Sequence, residues 1–519
     1  MIVEDQGEVL AFLADPATYS LPAGAVERID THISAVFLAG DLAYKLKRAV
    51  RFSYLDYSTR ALREVACATE LALNRRTAPE LYLETREIRR RPDGGLGFAG
   101  EGQPVDTVVV MRRFDQEALF DRLAARGALD ARLMRDLADR IAAFHREAEI
   151  DRAFGGYAGL GQVLDGNAAN LALFTPALFA PVDATDLDRR SRAQLEQLKQ
   201  LVEDRRVAGK VRLCHGDLHL RNICLVDERP LLFDCIEFSR AIACVDVLYD
   251  LSFLLMDLLH RDLAALASVV FNRYCDREAE VEGAAALPLF QSMHAGIRAH
   301  VTAAARETQA DEAGRQRMAG EAGRYLRLAS ALLDPVKPKL VAVGGRSGSG
   351  KSTLGAALAP GIGAPPGARL LRSDVLRKRL MGVAPESRLP AEVYAPEISR
   401  KVYESLADEA QRLLKIGVSV ILDAVFDRPE DRQWAEALAK AAGVPFTGFW
   451  LDAPVEFLEA RLGARAHDAS DATVEVLLKQ LERNPGPIEW HRLDARGEPA
   501  AIARTAARIC NTNAPACSA

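Results

Sequence analysis

Residues 339–352 read KLVAVGGRSGSGKS. An apolar run leads into a loop that matches G-x-x-x-x-G-K-[ST] in full, at Gly345, Gly350, Lys351 and Ser352, and helix-forming TLGAALA follows. Glycines let successive backbone N–H groups wrap a phosphate, and a helix N-terminus adds positive potential. In such a loop Lys351 reaches the β- and γ-phosphates of a nucleoside triphosphate, and the Ser352 hydroxyl ligates Mg²⁺. Gly348, Ser349 and Thr353 complete the predicted nucleotide-binding set. Working outward, strands are predicted at 339–344, 369–373, 418–422, 446–451 and 487–493, with helical patterns between them. Strands alternating with helices imply βαβ units and a parallel sheet, here of about five strands, covered on both faces.

A second motif lies upstream. HGDLHLRN occupies 215–222, and twelve residues later Asp234 ends the apolar run RPLLFD. Asp217 followed by four residues and Asn222 has the spacing of a loop in which an Asp orients an acceptor hydroxyl and an Asn amide oxygen ligates Mg²⁺. Asp234 would bridge the metal to the phosphates. His215 is expected to brace the loop, and His219 to be a satisfied loop histidine. Before this motif the chain begins with mixed elements. ISAVFLAG and DLAYKLKR read as strands joined by a turn at Gly40-Asp41, and 59–76 as a helix. ELYLETREIRRRPDGGLGF reads as a hairpin, and VDTVVVMRRF as another strand. From 116 to 333 the pattern is mostly helical, interrupted at 211–233. A small β-rich lobe before a large helical lobe predicts a bilobal α+β fold like that of protein kinases. DPVKPK at 334–339 punctuates the chain, which places domains at 1–333 and 338–510 and leaves a polar tail.

With these residues in view, the first domain resembles the aminoglycoside phosphotransferase and choline kinase-like group. The resemblance covers most of 30–330. It rests on HGDLHLRN, on FDCIEF where protein kinases carry Asp-Phe-Gly, on AAFHREA at 142–148 and on AIACVDVLYDLSFLLMDL. It implies a nucleotide-anchoring lysine in the small lobe. Lys45 and Lys47 share one strand face, and Lys45 is preferred. Its ion-pair partner is Glu70 or Glu64, with Glu70 preferred, and MRRF at 111–114 would meet the adenine. No G-x-G-x-x-G loop covers the phosphates, so the FLAGDLAYK turn must serve.

The second domain is similar to the P-loop kinase group of gluconate kinase, zeta toxins, chloramphenicol phosphotransferase and the kinase half of phage polynucleotide kinase. The resemblance rests on the glycine loop, LLRSDVLRKRL, VILDAVF, FWLDAP and EFLEARLGARAHDASDA. It implies that Asp374 contacts the acceptor hydroxyl as base, with Arg377 holding acceptor or phosphate. Asp423 would face Mg²⁺ through water, and Arg461 and Arg465 would neutralise charge on the transferred group from a lid. The run RLLRSDVLRKRL (369–380) holds five Arg and Lys; it is read either as a face for an anionic acceptor or as an exposed charged surface. The whole chain resembles a bacterial fusion of the two domain types.

The combined expectation is an ATP- and Mg²⁺-dependent kinase with two nucleotide sites and small-molecule hydroxyl acceptors. A regulatory protein using one domain as an ATP switch is the rival. A polynucleotide 5′-hydroxyl kinase is the third reading. The 519 residues carry a net charge of −5, and Arg and Lys nearly balance Asp and Glu in the second domain, which argues against a nucleic-acid partner. Eight scattered cysteines without a C-x-x-C pair read as buried thiols in a reducing compartment. The N-terminus lacks a signal-peptide pattern, and VDVLYDLSFLLMDLL is too short and too charged for the about 20 apolar residues of a membrane span. A cytoplasmic location is expected.

Overall fold

The computed structural model describes residues 3–52, 55–307, 309–463 and 471–512. The chain divides into two compact units, residues 1–162 with 202–254, and residues 163–201 with 255–519.

The first unit is built on a six-stranded antiparallel sheet. Its strands are β1 (Val26–Asp30), β2 (Ser34–Ala39), β3 (Leu42–Lys47), β4 (Tyr82–Arg90), β5 (Leu96–Gly97) and β6 (Pro104–Arg112), in the order β1-β2-β3-β6-β4-β5. Side chains alternate between the two faces of a strand. Phe37, Tyr44, Leu46, Val108 and Val110 fill a core on one face, while Ala43, Val109 and Met111 pack on the other. The same alternation turns Lys45 and Lys47 to the second face, toward helix α1 (Arg60–Asn74). Thr59 caps α1 by accepting from Leu62 N at 3.3 Å. The buried positions of α1 are Arg63, Ala66, Cys67, Glu70 and Asn74, a helical stripe in which three of five residues are polar. β1 escaped the sequence reading because VERID is an edge strand with charged, exposed positions.

Helix α2 (Ala131–Glu147) follows, and then the short strands β7 (Val211–Leu213), β8 (Ile223–Val226), β9 (Arg229–Leu232) and β10 (Cys244–Asp246). β8 and β9 form a hairpin, and β7 pairs with β10. The loop from β7 to β8 carries HGDLHLRN. Helix α3 (Val247–His260) begins at the end of β10.

The second unit combines long helices with a five-stranded parallel sheet. The helices include α4 (Ala264–Glu278), α5 (Leu287–Arg306) and α6 (Glu312–Leu332). The strands are β11 (Leu340–Gly345), β12 (Arg369–Arg372), β13 (Val420–Asp423), β14 (Phe446–Asp452) and β15 (His491–Asp494), in the order β12-β13-β11-β14-β15. Central β11 is buried at every position, as expected for a strand covered on both faces. Covering helices include α7 (Lys351–Leu358), α8 (Ser373–Leu380), α9 (Pro396–Lys415), α10 (Val455–Gly463), α11 (Val474–Leu481) and α12 (Pro499–Thr512). The fifth strand starts at 491 rather than 487. Pro487 has no N–H for a ladder, and the carbonyls of Pro485 and Pro487 accept from the Arg432 guanidinium at 2.6 and 3.0 Å.

The basic run 369–380 is largely internal, which corrects its reading as an exposed charged surface. Arg369 is 1% exposed and pairs with Asp276 of α4, also donating to Asn272 Oδ1 at 3.0 Å. Asn272 in turn clamps the sheet edge. Its Oδ1 accepts from Leu370 N at 2.7 Å, and its Nδ2 donates to Ala368 O at 3.2 Å. Lys378 meets Asp471 at 3.2 Å, and Arg379 pairs with Glu409. Among the described residues no helix is long and apolar enough to cross a membrane.

Candidate functional sites

In the first unit Lys45 Nζ lies between two carboxylates, 2.7 Å from Glu70 Oε1 and 2.5 Å from Asp234 Oδ1. β3 supplies the lysine, α1 the glutamate, and the loop after β9 the aspartate. Burial alone would lower the Lys45 ammonium. The attraction of Asp234 and Glu70 outweighs it and holds the group well above the ordinary lysine value. Burial would likewise raise Glu70, but Lys45 and Lys47 bring it down to about 2. Glu64 sits elsewhere on α1 and pairs with Arg60 at 2.8 Å.

The loop 214–222 is braced from below. Asp250, in the first turn of α3 and fully buried, accepts from Gly216 N at 2.7 Å and His215 N at 3.3 Å. His145 Nε2 of α2 lies 3.0 Å from the same carboxylate. His215 Nε2 donates to Phe233 O at 2.9 Å, which ties this loop to the one carrying Asp234. Asn222 Nδ2 donates to Asp217 O and Asp217 Oδ2, both at 2.9 Å. That commits the amide protons and leaves Oδ1 as the acceptor available to a cation. His219 Nε2 approaches Asp217 Oδ2 at 3.4 Å. Asp217 and Asp234 keep 38% and 41% of their side chains exposed, in a site whose other members are buried. Asp234 adopts φ +64°, and its N–H donates to Tyr82 OH at 3.1 Å. Cys235 N donates to Asn74 Oδ1 at 2.8 Å. The hairpin β2–β3 turns at Gly40 and Asp41, with Arg113 N donating to Asp41 O at 2.8 Å; MRRF thus abuts the turn.

Sequence reasoning missed Asp250, Asn74, Tyr82 and Glu237. Two of them left a signal. Asp250 interrupts an apolar helix, and Asn74 lies on the buried stripe of α1; both are places where a polar group needs a partner.

In the second unit the glycine loop joins β11 to α7. Gly350 caps α7 at φ +92°, and a Cβ there would stand 3.4 Å from Arg461 Nη1. Gly348 has φ +84°, and a Cβ would press to 2.8 Å of Leu458 O. The loop therefore needs glycine for conformation and for space. A cavity of about 170 Å³ opens beside it, lined by Gly348, Ser349, Gly350, Thr353 and Arg461, with Leu451 behind. Ser349 Oγ is buried with no hydrogen-bond partner among the described residues. Ser352 Oγ donates to Asp423 Oδ2 at 2.6 Å. Arg372 approaches both, with Nη2 3.1 Å from Ser352 Oγ and Nε 3.4 Å from Asp423 Oδ2. Lys351 Nζ donates to Arg346 O at 3.1 Å. Gln480 of α11, which carried no sequence signal, holds the loop through Ser347 N at 2.9 Å and Ser347 Oγ at 3.0 Å.

Asp374 lies in the first turn of α8, not at the end of β12, and makes no capping hydrogen bond. Arg377 is buried; it donates to Val393 O at 2.9 Å and Ser399 Oγ at 3.3 Å, and its guanidinium lies 4.7 Å from the Tyr394 ring centre. Among the described residues no carboxylate lies within ion-pair distance of Arg377. Burial, a hydrogen bond to Asp471 and the Asp374 carboxylate push the Tyr394 hydroxyl up, so Asp374, Arg377 and Tyr394 share one neighbourhood. Arg461 lies over the Phe457 ring at 4.5 Å. Arg465 lies outside the described residues.

The profile of the phosphotransferase enzyme family matches residues 27–287, and that of an AAA domain matches 340–487. An uncharacterised protein of Mycobacterium tuberculosis (strain ATCC 25618 / H37Rv) is 31% identical over 484 residues, covering 90% of this chain and 92% of the relative; a Mycobacterium bovis protein matches equally. Among solved structures, a choline/ethanolamine kinase family protein from Mesorhizobium loti covers 62% of this chain and 98% of its own, at 17% identity and a TM-score of 0.37. A sugar kinase from Janibacter sp. HTCC2649 covers 34% of this chain and 97% of its own, at 23% identity and a TM-score of 0.25. A gluconokinase from Sinorhizobium meliloti 1021 covers 34% and 95%, at 23% identity and a TM-score of 0.24.

Proposed function

Because the chain belongs to the phosphotransferase enzyme family, and both of its domains are of kinase type, we propose that it transfers the γ-phosphate of ATP to hydroxyl groups of small molecules at two separate sites. The reading rests on Lys45, which holds Glu70 at 2.7 Å and Asp234 at 2.5 Å. A lysine fixed by a buried glutamate beside a half-exposed aspartate is the equipment for gripping phosphates and metal together. The oxygen donors Asn222 and Asp234 suit Mg²⁺, a hard cation. Ser352 and Asp423 offer the same donor type beside the glycine loop, whose cradle and unpartnered Ser349 hydroxyl fit a triphosphate. Bound Mg²⁺ would neutralise charge on the phosphates.

At the first site Asp217 orients the acceptor hydroxyl and takes its proton, with His219 and Asn222 fixing the carboxylate. At the second site Lys351 meets the phosphates, and Asp374 takes the acceptor proton. Arg377, buried without a carboxylate partner among the described residues, holds an anionic group of the acceptor. Arg461 faces the transferred group from the cavity wall. The test is a screen of metabolites and aminoglycosides by mass spectrometry, with ATP and Mg²⁺, on the full chain and on Asp217→Ala and Lys351→Ala. Each variant should lose one set of phosphorylated products and keep the other. Absence of any phosphoryl transfer across the screen, alongside intact nucleotide binding, would leave a regulatory nucleotide sensor instead.

A further inference from the structure

A second buried lysine stands beside the first. Lys47 follows Lys45 by two residues on β3, so both reach toward α1. Its side chain is 1% exposed, and its ammonium makes close ion pairs with Glu70 Oε2 and with Glu237 Oε1. The Glu237 side chain is 4% exposed and also accepts from Tyr57 OH. The contacts form one chain of alternating charge: Asp234, Lys45, Glu70, Lys47, Glu237. Only its Asp234 end is substantially open to solvent.

Two features of this chain bear on phosphoryl transfer. Glu70 divides its two oxygens between the lysines, so Lys47 fixes the carboxylate from the side away from Asp234. Glu237 lies three residues after Asp234 in the same loop. The Lys47–Glu237 pair therefore ties the strand that carries Lys45 to the loop that carries Asp234, without using either of those groups. When Lys45 turns from Asp234 to a phosphate, Glu70 still has a counter-charge, and the loop still has an anchor.

Resting on the reading of this unit as a nucleotide site, we propose that Lys47 and Glu237 are a positioning pair for nucleotide binding. They set the separation of Lys45 and Asp234 and hold it while Lys45 changes partners. A pair that served stability alone could be replaced as a pair without consequence for ligand.

The experiment uses the full chain with Lys351→Ala, so that the first site alone is read. Affinity for AMP-PNP with Mg²⁺ is measured by calorimetry, beside thermal unfolding, for Lys47→Met, Glu237→Gln, the double variant and Lys47→Arg. Removing the two charges together should keep a cooperative unfolding transition and lower AMP-PNP affinity at least tenfold, while Lys47→Arg recovers most of it. If the double variant does not fold, Glu237→Gln carries the test, since it keeps Lys47 on Glu70; it should still weaken AMP-PNP. Parental affinity in a folded double variant, or in Glu237→Gln, would overturn the proposal. If the Lys351→Ala parent itself binds no AMP-PNP, the nucleotide-site reading fails, and the pair's role with it.

Discussion

The Ser352 hydroxyl donates to Asp423 across 2.6 Å, and Arg372 reaches both residues with its guanidinium. The oxygens expected to face a metal are thus already joined to each other. Residues joined in this way respond to mutation as a unit, with coupling of about 0.5–3 kcal/mol. Ser352→Ala and Asp423→Asn should each weaken Mg²⁺-dependent ATP binding, and the double variant should lose less than the sum. Calorimetry with and without EDTA measures the cycle, and strict additivity would count against a shared metal position.

The two sites should fail one at a time. Lys351→Ala removes the lysine proposed to grip the phosphates at the second site, which should slow turnover there on the order of 10²–10³. It should leave nucleotide binding by the first unit intact. Asp217→Ala should lower turnover at the first site roughly 10²–10⁴-fold while sparing ATP affinity. Asp234→Asn should instead weaken Mg²⁺·ATP. Product formation and nucleotide affinity, measured in parallel on the three variants, separate these outcomes.

Glu70 predicts an acid limb of stability. Burial would raise its pKa, but the two lysines hold it at about 2, below the ordinary 4.5. A depressed carboxylate contributes stability above its unfolded value, and that contribution is lost as pH falls through its folded value. The effect is on the order of 3 kcal/mol, fully present above about pH 4.5 and gone near pH 2. Thermal unfolding of the parent and Glu70→Gln, followed from pH 6 to pH 3, should show the gap between them narrowing toward acid.

For the acceptor of the second site, Asp374→Ala should keep ATP binding and eliminate transfer, because no contact of the glycine loop depends on it. Arg377→Lys should raise the acceptor KM, since an ammonium cannot reproduce a bidentate grip. Steady-state kinetics on whichever acceptor the screen identifies will read both. An unchanged KM in Arg377→Lys would remove the guanidinium from acceptor recognition.

Legibility followed burial. The parallel sheet could be read because its central strand is an unbroken apolar run and the strands beside it are mostly apolar, the pattern of a sheet covered on both faces. The glycine loop and HGDLHLRN were legible because their chemistry fixes residue types at short spacing. What stayed hidden depends on contacts far apart in sequence. Nothing near Glu237 announces Lys47, 190 residues away. Nothing near Ser347 announces Gln480, 133 residues away. The basic run 369–380 misled for the same reason. Three of its five charges, on Arg369, Lys378 and Arg379, are answered by Asp276, Asp471 and Glu409, none of which lies in the run.

Asn272 offers its side-chain amide to Leu370 N and Ala368 O, the place where a neighbouring strand would otherwise sit. β12 is the outermost strand of the parallel sheet, and it leads directly into the helix that carries Asp374 and Arg377. An open margin of this kind invites another polypeptide to pair with it. Here it is sealed by a helix that precedes the glycine loop by more than sixty residues, and Arg369 pins the seal with a buried charge. The C-terminal domain is therefore not a portable cassette. Cutting the gene at the proline-rich junction would strip the sheet of its selvedge, and the fragment expressed alone should self-associate through the bared strand.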